Sequence, residues 1–277
     1  MRVSRYAVLR HKPSCDIVNQ ERQGAKGKGM IIATIQFIVV TLLAIACARS
    51  LSLSEGEIPL LTMAIPALWL LPKAKMAGFM LLGTMLVFAL TLPYQPMSLS
   101  VAVWGALPLL MVMFSPKSNT AVVVVSSMIM VTLWVGVMAT QSNGHLEGSA
   151  MLSLTQLLCV VVAWWCSRHW QATRQRRWWA LALLVPLWIS QWYYAAVLAI
   201  SITLMLAVIE MLSRDKHAQV EWGSLMCWTL PSVAFGSLIV MPDIEVPNPV
   251  FVVWLCLLAT AWMTDYLINE DEESDEY

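Results

Sequence analysis

In a chain this apolar, the side chains able to do chemistry are few enough to name. Inside the long apolar runs the large polar groups are Gln36, Gln156 and Gln191, with hydroxyls at Ser126, Ser127, Thr132, Thr155, Ser201 and Thr203. A carboxamide carries two donors and an acceptor, so it can tie helices together or reach into a cavity and orient a neutral ligand. The hydroxyls read mainly as hydrogen-bond partners between helices. The three glutamines are the candidate substrate-binding residues. Pro66 in IPALW and Pro186 in VPLW join them, because short, proline-interrupted spans in matching positions point to a midplane binding site. The plainer reading is that these prolines only kink helices, which membrane spans tolerate.

Charged candidates are missing where they would matter most. Asp265 and Glu210 fall within a turn or so of predicted span ends, and no Asp, Glu, Lys, Arg or His falls at a predicted midplane. A buried ionisable group is the usual mark of an ion or proton path, so a carboxylate proton relay is not expected. The four histidines, 11, 145, 169 and 217, are scattered through the leader and loops and form no metal site. The six cysteines contain no C-x-x-C pair and sit mostly in apolar runs, as small buried hydrophobes do. No cofactor, metal, nucleic acid or enzymatic reaction is expected. A membrane enzyme would need positioned acids, histidines or nucleophiles near an interface, and larger loops to hold them.

These residues must be positioned by helices in a membrane. Apolar residues make up 59% of the chain and charged ones 12%, with mean hydropathy +0.69, far from the soluble globular range. Apolar runs occupy 30–48, 58–72, 76–93, 97–114, 120–140, 150–167, 223–241 and 250–268, broken by turn-like PKAK, PYQP, SPKSN and QSNGHLEG. The remaining stretch, 178–212, is 35 residues long, about 52 Å as one helix against a bilayer core of ~30 Å. Splitting it at SQWYY makes a hairpin, and the aromatics Trp178, Trp179 and Trp192–Tyr194 then mark opposite interfaces.

Basic residues favour the split. With the hairpin, 16 of 17 Lys/Arg lie on one side, Arg49 being the exception, and excess positive charge in short loops marks the cytoplasmic face. The fold class expected is an all-α polytopic integral membrane protein with ten spans over 30–268 and both termini cytoplasmic, in a bacterial inner membrane. Residues 1–29 form a polar leader with seven Lys/Arg and no apolar periodicity, expected to be unstructured. Purine-rich codons for Gly and Lys before Met30 would suit a ribosome-binding site, which makes Met30 a second candidate for the native start. Residues 269–277, NEDEESDEY, form an acidic cytosolic tail, expected to be solvated.

Ten spans divide into five plus five, and an odd-numbered half makes any repeat inverted. At an offset of about 120 residues, LWVGVMAT (133–140) aligns with VWLCLLAT (253–260), Pro66 with Pro186, and Gln36 with Gln156. In span number, length and cytoplasmic termini this plan is similar to the drug/metabolite transporter superfamily. The likeness is one of architecture, and no functional residue is carried over from it. The function expected is a permease for a neutral or weakly polar small molecule. The alternative is a non-catalytic scaffold or subunit of a larger inner-membrane complex, contacting a partner through the Arg168–Arg177 loop or the acidic tail. Reporter fusions at residue 277 and in the 141–149 loop are expected to give opposite signals, with residue 277 cytoplasmic. A C-terminal fusion active only outside the cytoplasm would overturn the ten-span topology.

Overall fold

The computed structural model describes residues 15–54, 58–70, 76–169, 178–212, 222–241 and 244–275. Among them there is no strand, as a lipid-embedded backbone requires when every N–H and C=O must be satisfied within its own segment. The helices are α1 (Cys15–Leu53), α2 (Leu60–Leu70), α3 (Met76–Thr91), α4 (Met97–Ala102), α5 (Ala106–Met113), α6 (Thr120–Ser142), α7 (Ala150–His169), α8 (Leu184–Ile189), α9 (Tyr193–Leu212), α10 (Trp222–Val240) and α11 (Asn248–Asp275). Tighter 3₁₀ turns precede α4 at Leu92–Tyr94, join α4 to α5 at Val103–Gly105, and precede α8 at Trp178–Leu183.

Five helices are long and apolar enough to cross a membrane: Met30–Leu53, Met76–Tyr94, Thr120–Ser142, Ala150–His169 and Asn248–Ile268. Shorter apolar helices run over Met97–Met113, Ala180–Ile189, Tyr193–Ile209 and Ser224–Val240. The large side chains facing outward are themselves apolar, among them Ile31, Ile35 and Leu42 on α1, Met128, Val131 and Val135 on α6, and Trp262 and Met263 on α11. Apolar surface on this scale is unfavourable in water, so these helices suggest a lipid bilayer environment.

Helix continues into both polar ends, where composition predicts no structure. α1 starts at Cys15, ahead of the apolar run, and α11 ends at Asp275, beyond it. Nucleation is the costly step in helix formation, and an existing span has already made it, so the helix runs on despite Gly24, Gly27 and Gly29, each of which costs about 1 kcal/mol relative to Ala.

The segment 97–113 runs through the middle of the bundle. Leu99, Val103, Ala106, Leu109 and Leu110 are all buried, in one cluster with Trp134 of α6, Val160 and Trp164 of α7, Phe235 and Leu238 of α10 and Leu257 of α11. α1 packs along α9 and α10, α3 along α7, and α2 against the α8–α9 hairpin. Side-chain bonds fix which ends meet. Gln95 Nε2 donates to Ser149 O at 2.8 Å, joining the α3–α4 and α6–α7 turns. At the opposite ends of α5 and α7, Arg168 Nη1 donates to Phe114 O at 2.8 Å, with its guanidinium 5.4 Å from the Trp164 ring centre.

The hairpin within 178–212 is closed by a Schellman cap. Trp192 N–H donates to Leu187 O and Gln191 N–H to Trp188 O, both at 3.1 Å, and Gln191 takes the left-handed position at φ 62°. α6 ends with the same motif, His145 N–H to Thr140 O and Gly144 N–H to Gln141 O, but there a glycine takes φ 73°. The SQWYY turn is therefore a helix end held by backbone bonds.

Gly105 is required for space. Its φ of −61° suits any residue, yet a Cβ there would stand 2.8 Å from Cδ1 of Trp254. That indole is held in place by Phe235, with ring centres 4.7 Å apart. Gly105→Ala is expected to lower the melting temperature in detergent, the overpacking costing about 1–3 kcal/mol. Adding Trp254→Leu should recover part of the loss. A single variant that melts with the wild type would show that the contact gives way freely.

Candidate functional site

One face of α7 carries Ser153 and Gln156, three residues apart and both fully buried. Ser153 belongs to a closed ring of hydrogen bonds. Gln95 Nε2 donates to Ser153 Oγ (3.2 Å), Ser153 Oγ donates to Gln141 Oε1 (2.8 Å), and Gln141 Nε2 donates to Gln95 Oε1 (3.4 Å). The remaining donors go to backbone, Gln95 Nε2 to Ser149 O and Gln141 Nε2 to Glu147 O at 3.3 Å. Every hydrogen of both carboxamides is thereby used. Gly148, at φ 96°, leaves the space that Gln95 Oε1 fills, and a Cβ there would collide with it. A saturated ring with no free group is a clamp between the α3–α4 turn, α6 and α7.

Gln156 is different. Its Nε2 donates to Thr91 Oγ1 (3.2 Å) and Ser100 Oγ (3.0 Å), linking α7 to the end of α3 and to α4. Thr91 commits its own hydroxyl hydrogen to Phe88 O at 2.7 Å, so its oxygen can only accept, which sets the amide with nitrogen toward Thr91. Gln156 Oε1 then has no hydrogen-bond partner although the residue is 0% exposed. An orphaned buried acceptor costs about 1–3 kcal/mol, and the Ser100 hydroxyl hydrogen beside it has no acceptor among the described residues. Together they leave one acceptor and one donor unmatched between α4 and α7.

The other residues singled out in the sequence are dispersed. Gln36 is half-buried on α1, with no side-chain hydrogen bond among the described residues. Pro66 is buried in α2 and lines an apolar hollow of about 260 Å³ with Met63, Ala67, Leu82, Gly83 and Leu86. Pro186 is exposed in α8 and does not line that hollow, although Leu187 beside it packs with Ile65 beside Pro66. Gln191 is exposed and lines a second hollow of about 210 Å³ with Ser54, Ser190 and Trp192–Tyr194. Several hydroxyls expected between helices instead bond back within their own helix: Thr132 to Met128 O, Thr155 to Met151 O and Thr203 to Ala199 O. Ser127 does reach another helix, placing its Oγ 3.2 Å from Met113 Sδ.

Gln95, Gln141, Ser100 and Thr91 are absent from the sequence-based candidates. They lie at span ends and turns, where a polar residue is expected to face water. The available signal was the pair PYQP and QSNG, two carboxamides in turns on one side of the predicted topology. Of the Arg168–Arg177 loop only Arg168 and His169 are described, residues 170–177 lying outside the described set. Among the described residues no group of three His, Cys, Asp or Glu could hold a metal.

No protein-family model, curated protein or solved structure matches this chain. Its chemistry must be read from its own residues.

Ser153→Ala should break the ring and leave Gln141 Oε1 buried without a donor. It is expected to cost about 1–3 kcal/mol, read as a lower melting temperature, while Thr132→Ala, which only removes a bond within one helix, should change little. Equal melting of the two variants would remove the clamp role.

Proposed function

We propose that the protein is an integral membrane permease for a neutral or weakly polar small molecule, built as ten spans in two inverted halves with both termini cytoplasmic in a bacterial inner membrane. The reading is supported by reciprocal packing. If α1, α2, α3, α4–α5 and α6 form one half, and α7, α8, α9, α10 and α11 the other, then α1 against α9 pairs the first span of one half with the third span of the other. α3 against α7 is the same pairing with the halves exchanged. The contacts of α1 with α10 and of α7 with α4–α5 exchange in the same way. The exchange is partial, since α5 packs on α11 and α2 on α9 without comparable α10–α6 or α8–α3 packing; transporters built as inverted repeats bind substrate where the halves meet.

The observation that carries the functional part is the orphaned carbonyl of Gln156. It lies where α7 of the second half meets α3 and α4 of the first. A ligand that donates to Oε1 and accepts from Ser100 would complete both groups, and the absence of charge there favours a neutral one. A thermal-shift screen of purified protein against neutral amides, polyols and nucleosides tests this. A binder held at one hundred times its Kd should stabilise by about 2.7 kcal/mol, and Gln156→Leu should abolish that response while remaining folded. A panel without any binder, or a Gln156→Leu protein that responds like the wild type, would overturn the reading.

A second reading has its own observation. The centre of the bundle is filled by Trp134, Phe235 and Trp254, not hollow, which suits a non-catalytic subunit of a larger membrane complex. Reproducible co-purification of a stoichiometric membrane partner, with no ligand response, would favour it.

A further inference from the structure

The hollow at the far end of α1 from Cys15 does not include Gln156, and its lining is polar and aromatic. Ser54 closes α1, and Ser190, Gln191, Trp192, Tyr193 and Tyr194 form the α8–α9 turn. Among the described residues, none in the lining is charged. Ser54 Oγ donates to Leu51 O at 2.9 Å, which leaves its lone pairs to accept. The Ser190 and Gln191 side chains line the same hollow, and neither has a hydrogen-bond partner among the described residues. The aromatic side of the hollow is presented to solvent: Trp192 is 44% exposed, Tyr193 46% and Tyr194 49%. Tyr193 is braced edge-on against Trp188, with ring centres 5.1 Å apart.

The backbone adds a second observation. Gln191 sits in the left-handed region at φ 62°, in the cap position that Gly144 fills without strain at the end of α6. A side chain carried at such a position is maintained against a conformational cost, and strain of this kind collects at ligand sites.

We propose that this hollow binds a neutral polyhydroxylated ring, a sugar, either free or as the headgroup of a glycolipid. Such a ring has hydroxyl edges that match two serine oxygens and a carboxamide, and an apolar C–H face that lies flat on Trp or Tyr. The volume of about 210 Å³ corresponds to about seven waters at ~30 Å³ each, room for a single ring. An anionic headgroup is disfavoured by the absence of a cation in the lining. A purely apolar ligand would leave the serines and Gln191 unused.

The test uses full-length protein purified in a detergent without a sugar headgroup. Saturation-transfer NMR is recorded with D-glucose and cellobiose, and then binding is measured to phosphatidylcholine nanodiscs with and without glucosyl diacylglycerol. Transfer to the free sugars identifies a soluble source, and a response confined to glucosyl nanodiscs identifies a lipid source. Trp192→Ala and Gln191→Gly are each expected to weaken binding about tenfold, a loss of about one good contact. Gln191→Gly should at the same time raise the melting temperature, because it relieves the left-handed strain. That opposition of stability and binding separates a ligand site from a plain aromatic membrane belt. Thr132→Ala, on α6 and away from this hollow, should bind the sugar as the wild type does. No transfer from either source, or undiminished binding by Gln191→Gly, overturns the proposal.

Discussion

A helix buried on every side must be both smooth enough to let its neighbours approach and self-sufficient in backbone hydrogen bonds. The segment 97–113 meets the first demand at Gly105, where the Trp254 indole occupies the space a side chain would take. It meets the second by tightening into a 3₁₀ turn at Val103–Gly105, so the chain changes pitch while its backbone groups stay bonded locally. Around this pillar α6, α7, α10 and α11 contribute their largest buried side chains. Without close approach at the centre those side chains would lose their common partner. In lipid no hydrophobic driving force would pull the helices back together, since acyl chains are as apolar as leucine.

Polar chemistry inside the bundle is concentrated along α7, and its two parts behave differently. The ring of Gln95, Gln141 and Ser153 uses all of its donors, and such a ring gains nothing from a visitor. One helical turn further along, Gln156 spends both amide hydrogens and keeps its carbonyl unspent. Satisfied and unsatisfied carboxamides on one helix face separate the rigid part of the structure from the part with capacity left over. A neutral carboxamide is suited to that task, because removing a full charge from water would cost far more.

Much of this organisation was legible in the residues. Helical class and the turn at SQWYY follow from hydropathy and turn-forming residues. Gln156 stands out because an apolar run makes any carboxamide conspicuous. Gln95 and Gln141 do not, because at the end of a run a glutamine is expected to be wet, and only a folded turn reveals that Gly148 admits it to the interior. The proline pair illustrates another limit. An offset of 120 residues puts Pro66 and Pro186 at matching places in short spans, but one is buried beside an apolar hollow and the other is exposed. Which way a helix is rotated about its axis depends on neighbours far away in sequence, and an all-round apolar helix carries almost no pattern from which to read it.

The polar extension of α1 has a mechanical consequence. Residues 15–29 continue the same helix that spans the apolar layer, and fifteen residues at 1.5 Å each make a rod about 22 Å long. A continuous helix transmits rotation without slack. A tilt of about 10° within the bundle would swing the free end of that rod by roughly 4 Å. Since α1 lies along α9 and α10, rearrangement of those neighbours would be magnified outside the membrane, where a label or a docked protein could register it.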